Sequence, residues 1–215
     1  MRGRVVRSTG SFATVRTESG QTLECTIRGI FRLKGIRSTN PVAVGDWVEV
    51  SGEAGESAIT EIYPRENYII RKSINLSKES HILAANIDQA FVIVTLHSPR
   101  TSLGFVDRLL VTCEAYHIPV SMVLNKTDLY ISEKDKNNVA YFYEVYRAAG
   151  YRIIETSAQQ ALGIEPLKDA MRGNVNLFTG HSGAGKSSLI NLLAPTRVST
   201  PPPLLNFTNC LVRPG

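Results

Sequence analysis

Gly180-His181-Ser182-Gly183-Ala184-Gly185-Lys186-Ser187 fits the pattern G-x-x-x-x-G-K-[ST], and its reading decides the fold of the second half of the chain. In such a loop the backbone N–H groups all point inward around an anion. Glycines at 180, 183 and 185 allow the tight path and the close approach of backbone to phosphate. Lys186 is expected to reach the β- and γ-phosphates, and the Ser187 hydroxyl to ligate Mg²⁺. These two are the expected catalytic residues. The helix that begins here turns its positive end toward the same phosphates. The context agrees: the apolar run Val175–Thr179 precedes the loop, and Ser188-Leu189-Ile190-Asn191-Leu192-Leu193 is amphipathic. The expected phosphate contacts are therefore Gly180, His181, Ser182, Gly183, Ala184, Gly185, Lys186, Ser187 and Ser188. The bland alternative is a glycine-rich strand-to-helix turn that holds nothing. His181 lies inside the loop, facing either the phosphates or solvent.

Upstream stands Asn125-Lys126-Thr127-Asp128, an N-K-x-D segment at the carboxyl end of the apolar run Val120–Leu124. Ligands bind at that end of strands in open α/β sheets. The Asp128 carboxylate can accept from N1–H and the exocyclic amine of guanine together, a pattern adenine lacks. The Asn125 amide can bridge the base to the loop, and the Lys126 stem can lie along the base plane. A site of this kind rejects the wrong base because mismatched polar groups are left unpaired. Read blandly, it is an Asn/Asp turn. Thr156-Ser157-Ala158 follows a short strand, Arg152–Glu155, and gains value only from its position between the other two motifs. A backbone N–H there, at Ser157 or Ala158, is expected to contact the guanine carbonyl. In ordinary GTPases the phosphate loop comes first and the guanine reader follows. Here the order is reversed, which points to a circularly permuted GTPase.

The elements around these motifs set the fold class. Gly3–Arg7, Phe12–Thr17, Thr22–Gly29, Trp47–Val50 and Ala58–Tyr63 read as five short strands with turn signals between them. Five strands in about sixty residues suit a small closed OB-fold barrel, with Trp47 expected in its core. Pro64–Ser80 reads as a linker. Ala90–Leu96 reads as a buried parallel strand. It is followed by helices at Leu103–Tyr116, Glu133–Ala149 and Ile164–Met171, with the remaining strands between them. Strands alternating with helices imply right-handed crossovers and a parallel sheet. The expected organisation is an OB-fold RNA-binding domain at 1–65, a linker at 66–80, a permuted α/β P-loop GTPase domain at 81–194, and a tail at 195–215.

The chain has 215 residues and a net charge of +5. Residues 1–37 hold eight basic and two acidic residues, a net of +6 that exceeds the whole chain's excess. A concentrated basic surface attracts polyphosphate partners, RNA foremost. Arg2, Arg4, Arg28, Arg32, Lys34 and Arg37 are the expected RNA contacts, with Phe31–Thr39 as the preferred loop. A solvated basic face with no ligand is the plainer reading. Cys25, Cys113 and Cys210 form no C-x-x-C pair and suggest neither disulfides nor zinc. No run of 18 apolar residues exists, so no spanning helix is expected. The N-terminus lacks the apolar stretch of a signal peptide, so a cytoplasmic protein is expected.

Together, Asn125–Leu129, Thr156-Ser157-Ala158 and Gly180–Asn191 in that order resemble the RsgA/YjeQ family of ribosome small-subunit-dependent GTPases. Ala84–Gln89, Val106–Leu110 and the basic five-stranded module preceding them are similar to that family too. The resemblance covers residues 1–194. It implies GTP/GDP and Mg²⁺ as ligands, an OB-fold on ribosomal RNA, and a monomer that assists late maturation of the small (30S) ribosomal subunit. The family also carries a D-x-x-G element after the phosphate loop and a C-terminal zinc-binding helical domain. This sequence has no Asp or Glu after Asp169 and no cysteine/histidine cluster for zinc. Half of its ten prolines lie at 195, 201, 202, 203 and 214, so an irregular tail is expected. A truncated chain is therefore expected, with four parallel strands and the phosphate-loop strand outermost, its edge partly covered by the tail. Weak nucleotide binding and very poor GTP hydrolysis follow. The competing readings are an RNA-binding barrel with a degenerate nucleotide domain and an unrelated P-loop ATPase.

Overall fold

Alternating apolar and polar residues dominate the first strands of the protein. In the computed structural model, residues 1–9, 11–27, 41–52, 56–72, 80–193 and 209–212 are described. Strands β1 (Arg2–Ser8), β2 (Phe12–Thr17), β3 (Thr22–Ile27), β4 (Trp47–Ser51) and β5 (Ala58–Ile62) close a barrel in the order β1-β2-β3-β5-β4. All pairings are antiparallel except β3 with β5, and β1 meets β4 to complete the ring. Val5, Ala13, Val15, Leu23, Cys25, Val42, Val48, Val50 and Ile59 fill the interior. This is the OB-like barrel the sequence suggested.

Trp47 departs from expectation. Alternation along β4 sends Val48 and Val50 inward, so Trp47 faces outward and is half-buried. The Arg2 and Arg4 guanidinium carbons lie 4.7 and 5.4 Å from its ring centroid, a cation–π arrangement. Of the six expected RNA contacts, Arg2 is exposed and Arg4 half-buried. The Arg4 guanidinium donates to the Gly45 and Asn86 carbonyls. Arg28, Arg32, Lys34, Arg37 and the loop Phe31–Thr39 lie outside the described residues.

The segment read as a linker contains structure instead. Strands β6 (Tyr68–Lys72) and β7 (Ser80–Ala85) pair antiparallel. They belong with the barrel in a compact unit spanning Met1–Ile87, the second unit being Asp88–Gly215. Ala85 N–H donates to the Val44 carbonyl at 2.9 Å. A Cβ on Gly45, whose φ is +94°, would meet the Ala85 carbonyl oxygen at 2.0 Å, so only glycine fits there. Beside it, the fully buried Asp46 carboxylate accepts two hydrogen bonds from Arg65, at 2.6 and 2.7 Å, and one from Ala43 N–H at 2.8 Å.

In the second unit, strands β8 (Gln89–Val94), β9 (Val120–Leu124), β10 (Arg152–Glu155) and β11 (Asn176–Gly180) are parallel, in the order β10-β9-β8-β11. Both faces are covered, and the strands are accordingly rich in buried apolar residues. Phe91, Ile93, Val123 and Phe178 face helices α3 (Ile164–Met171) and α4 (Lys186–Leu193). Val92, Val94, Met122 and Leu124 face α1 (Leu103–Ala115) and α2 (Glu133–Ala148). Ser132 and Asp135 form a capping box that starts α2. The phosphate-loop strand is not outermost, contrary to expectation. β12 (Asn209–Val212), in the segment read as irregular, pairs antiparallel with β11 and covers its free edge. No helix among the described residues is long and apolar enough to cross a membrane.

Candidate nucleotide site

The strand ends of the second unit bring all three motifs together. β11 runs straight into the loop Gly180–Gly185, and α4 opens at Lys186. β9 ends at Leu124 and hands over to Asn125, while β10 ends at Glu155 and hands over to Thr156. Asn125 is the hub. Its side-chain amide N–H donates to the Ala184 carbonyl at 2.9 Å. Its Oδ1 accepts from the Thr156 hydroxyl at 3.0 Å and from Ala158 N–H at 3.3 Å. Asn125 is fully buried, and a buried amide must be satisfied this way. The fit leaves no space on the loop side: a Cβ on Gly185, at φ +93°, would lie 2.3 Å from Asn125 Nδ2.

The other N-K-x-D side chains are also held. Lys126 adopts the left-handed conformation, φ 63°. Its ammonium donates to the Ser98 carbonyl. The Thr127 hydroxyl and N–H both donate to the Thr156 carbonyl at 3.2 Å. The Ser157 hydroxyl donates to the Asp128 carboxylate and accepts from Gln160 N–H at 3.2 Å. Thus Ser157 orients Asp128 through its side chain, while Ala158 joins the hub through its backbone.

In the phosphate loop the Lys186 ammonium, 6% exposed, donates to the Gly180 and His181 carbonyls at 2.8 and 2.6 Å. These bonds hold a positive charge inside the loop, where phosphate oxygens would compete for it. Ser182, Gly183, Ser187 and Ser188 are exposed. Mg²⁺ retains several waters and takes phosphate oxygens besides one or two protein ligands. The exposed Ser187 hydroxyl at the first turn of α4 fits that requirement. No cluster of three or more His, Cys, Asp or Glu side chains suited to a metal exists among the described residues. His181 is half-buried. Its ring stacks on Phe105 of α1, centroids 3.9 Å apart.

Sequence reasoning missed the segment after β8. Thr95 and Thr101 clasp each other there: Thr101 N–H donates to the Thr95 carbonyl at 2.7 Å, and Thr95 N–H to the Thr101 hydroxyl at 3.1 Å. The turn between them carries Ser98, which holds Lys126, and Pro99. The Pro99 ring lies 3.3 Å from where a Gly183 Cβ would stand. The available signal was position alone, since this turn leaves the carboxyl end of a central strand.

A phosphate loop on the last parallel strand, with an N-K-x-D reader on an earlier one, defines a P-loop GTPase-type domain with permuted motif order. Comparison with known proteins agrees. Residues 62–201 match the family model described as RsgA GTPase, and residues 2–59 the RsgA N-terminal domain. The chain belongs to the RsgA GTPase family. It is 49% identical over 202 residues to small ribosomal subunit biogenesis GTPase RsgA 2 of Bacteroides thetaiotaomicron, covering 93% of this chain and 65% of that protein. It is 50% identical over 196 residues to the RsgA of Phocaeicola vulgatus, covering 91% and 63%. Among solved structures it resembles YjeQ from Thermotoga maritima, with a TM-score of 0.71 and 36% identity over 91% of this chain and 65% of that one. YloQ, a circularly permuted GTPase, gives a TM-score of 0.66 at 30% identity, over 91% of this chain and 65% of that one. The chain thus spans just under two thirds of the length of these relatives.

Proposed function

We propose that this chain carries the guanine-nucleotide core and RNA-binding barrel of a GTPase that assists maturation of the small ribosomal subunit. One observation supports this most: the buried Asn125 amide hydrogen-bonds to both the phosphate loop and the Thr156–Ala158 turn. Base reader and phosphate cradle therefore share one corner. In this reading Asn125, Lys126, Thr127 and Asp128 grip guanine, assisted by Ser157 and Ala158. Gly180–Ser188 wraps the phosphates. Lys186 offsets their charge, and Ser187 would hold Mg²⁺ through its hydroxyl, the metal supplying further neutralisation of phosphate charge when bound. The names of the relatives place them in small-subunit biogenesis, and the exposed Arg2 on the barrel suits contact with ribosomal RNA. We assign the protein to the cytoplasm, acting as a monomer.

Turnover by the 215-residue polypeptide is expected to be poor. Phosphoryl transfer depends on charge placed around the γ-phosphate and on a carboxylate that helps hold Mg²⁺. No Asp or Glu follows Asp169 in this sequence to form a D-x-x-G element. The second reading is an RNA-binding barrel with a degenerate nucleotide domain. Calorimetric titration with GDP and ADP, with and without Mg²⁺, tests the proposal. GDP binding that weakens at least about tenfold in Asp128→Asn, with ADP bound far more weakly than GDP, is the expected result. Equal binding of GDP and ADP would support the ATPase reading instead.

A further inference from the structure

We infer that Tyr130 is a positioning residue for the guanine-reading corner, because its hydroxyl is inserted as a hydrogen-bonded rung between the ends of β8 and β9. This rests on the guanine-nucleotide reading of the site. The last direct rung between the two strand ends runs from Asn125 N–H to the Val94 carbonyl at 2.9 Å. In a parallel ladder the same residue's carbonyl would next accept from the N–H two residues further along the neighbouring strand, here Leu96. Instead Tyr130 stands between them. Its hydroxyl accepts from Leu96 N–H at 3.0 Å and donates to the Asn125 carbonyl at 2.6 Å. A direct rung is thus replaced by a two-bond bridge, which spreads the strand ends where the base must sit.

The bridge acts on Asn125 from behind. Asn125 has its side chain committed to Ala184, Thr156 and Ala158, and its N–H to Val94. The carbonyl is its remaining backbone handle, and Tyr130 holds it immediately before the chain turns left-handed at Lys126. Tyr130 is itself fixed: it follows the 3₁₀ turn Thr127–Leu129, and its N–H donates to the Thr127 carbonyl at 3.2 Å. Burial pushes its hydroxyl pKa up to about 12, so it remains a donor throughout the neutral range. The residue thereby sets where Asn125 stands.

The test is the release of a fluorescent GDP analogue from the full chain, unaltered and as Tyr130→Phe. Tyr143→Phe serves as the control, since that hydroxyl bonds Glu155 and not Asn125. Removing the rung leaves the Asn125 carbonyl short of its donor, and the dissociation rate is expected to rise about fivefold or more. The thermal midpoint of the nucleotide-free protein should fall by no more than about 2–12 °C, the cost of one buried unpaired group, and Tyr143→Phe should release nucleotide at the unaltered rate. An unchanged rate in Tyr130→Phe overturns the inference. So does a faster rate shared by Tyr143→Phe, or one that comes with a larger fall in the nucleotide-free midpoint, which would mark a merely structural role. If the unaltered chain fails to bind the analogue, both this inference and the guanine-nucleotide reading fall.

Discussion

Gly185→Ala should loosen the nucleotide corner through a single methyl group. Two costs follow from the geometry. Gly185 sits at φ +93°, where an L-residue is strained by about 1–2 kcal/mol. The new Cβ would also lie 2.3 Å from Asn125 Nδ2. The asparagine must then move, breaking its 2.9 Å bond to Ala184 inside a buried site, at about 1–3 kcal/mol. Gly183→Ala isolates the first cost. Its φ is also positive, +79°, but its Cβ would meet only the Pro99 ring, at 3.3 Å. The two variants should therefore both destabilise the second unit, Gly185→Ala by about 1–3 kcal/mol more. Urea unfolding followed by far-UV circular dichroism reads that unit. Fluorescence of Trp47, the only tryptophan, reports the barrel separately and should not change. Equal losses in the two variants would refute the steric coupling between the phosphate loop and Asn125.

Arg65→Met should strip the buried Asp46 carboxylate of both its guanidinium bonds and cost the barrel about 3–5 kcal/mol, read as a lower urea midpoint of Trp47 fluorescence. Lys186→Ala should abolish measurable GDP binding in calorimetry while leaving RNA affinity of the barrel unchanged. Burial raises the Cys113 thiol from 9.0 to about 11. The unfolded chain therefore loses this proton first as pH rises. The stability linked to Cys113 is present in full below about pH 9 and is lost as pH climbs toward 11. Denaturation midpoints compared between the unaltered protein and Cys113→Ala should converge over that window. The same thiol should resist alkylation at pH 8 in the folded protein.

Much of this architecture was legible because its signals are local. Glycine spacing marks the phosphate loop, predominantly apolar runs mark β8 and β9, and turn residues separate the barrel strands. Trp47 could have been placed correctly from the same kind of signal. Val48 and Val50 alternate with Trp47, Glu49 and Ser51, and a barrel interior takes only one of the two sets. β6 and β7 were hidden because Arg71-Lys72 reads as polar linker, although the two strands pair with each other close in sequence. β12 was hidden because its partner is distant: four residues in a proline-rich setting become a strand only through β11, at least thirty residues earlier. The Tyr130 bridge and the Ser98–Pro99 contacts have no sequence signature. They arise where strand ends meet, which only topology reveals.

The reversed motif order has a consequence for the chain as it is made. β8 lies at the centre of the sheet, yet its two neighbours are synthesised at very different times. β9 follows it closely, whereas Gln89 must await Asn176, 87 residues later. At about 5–20 residues per second, one flank of β8 stays without its partner for roughly 4–17 s of translation. Through that interval an almost wholly apolar strand with a bare edge stands open beside the exit tunnel. Nascent protein of this type should thus lean on chaperones more than a GTPase whose phosphate loop emerges first.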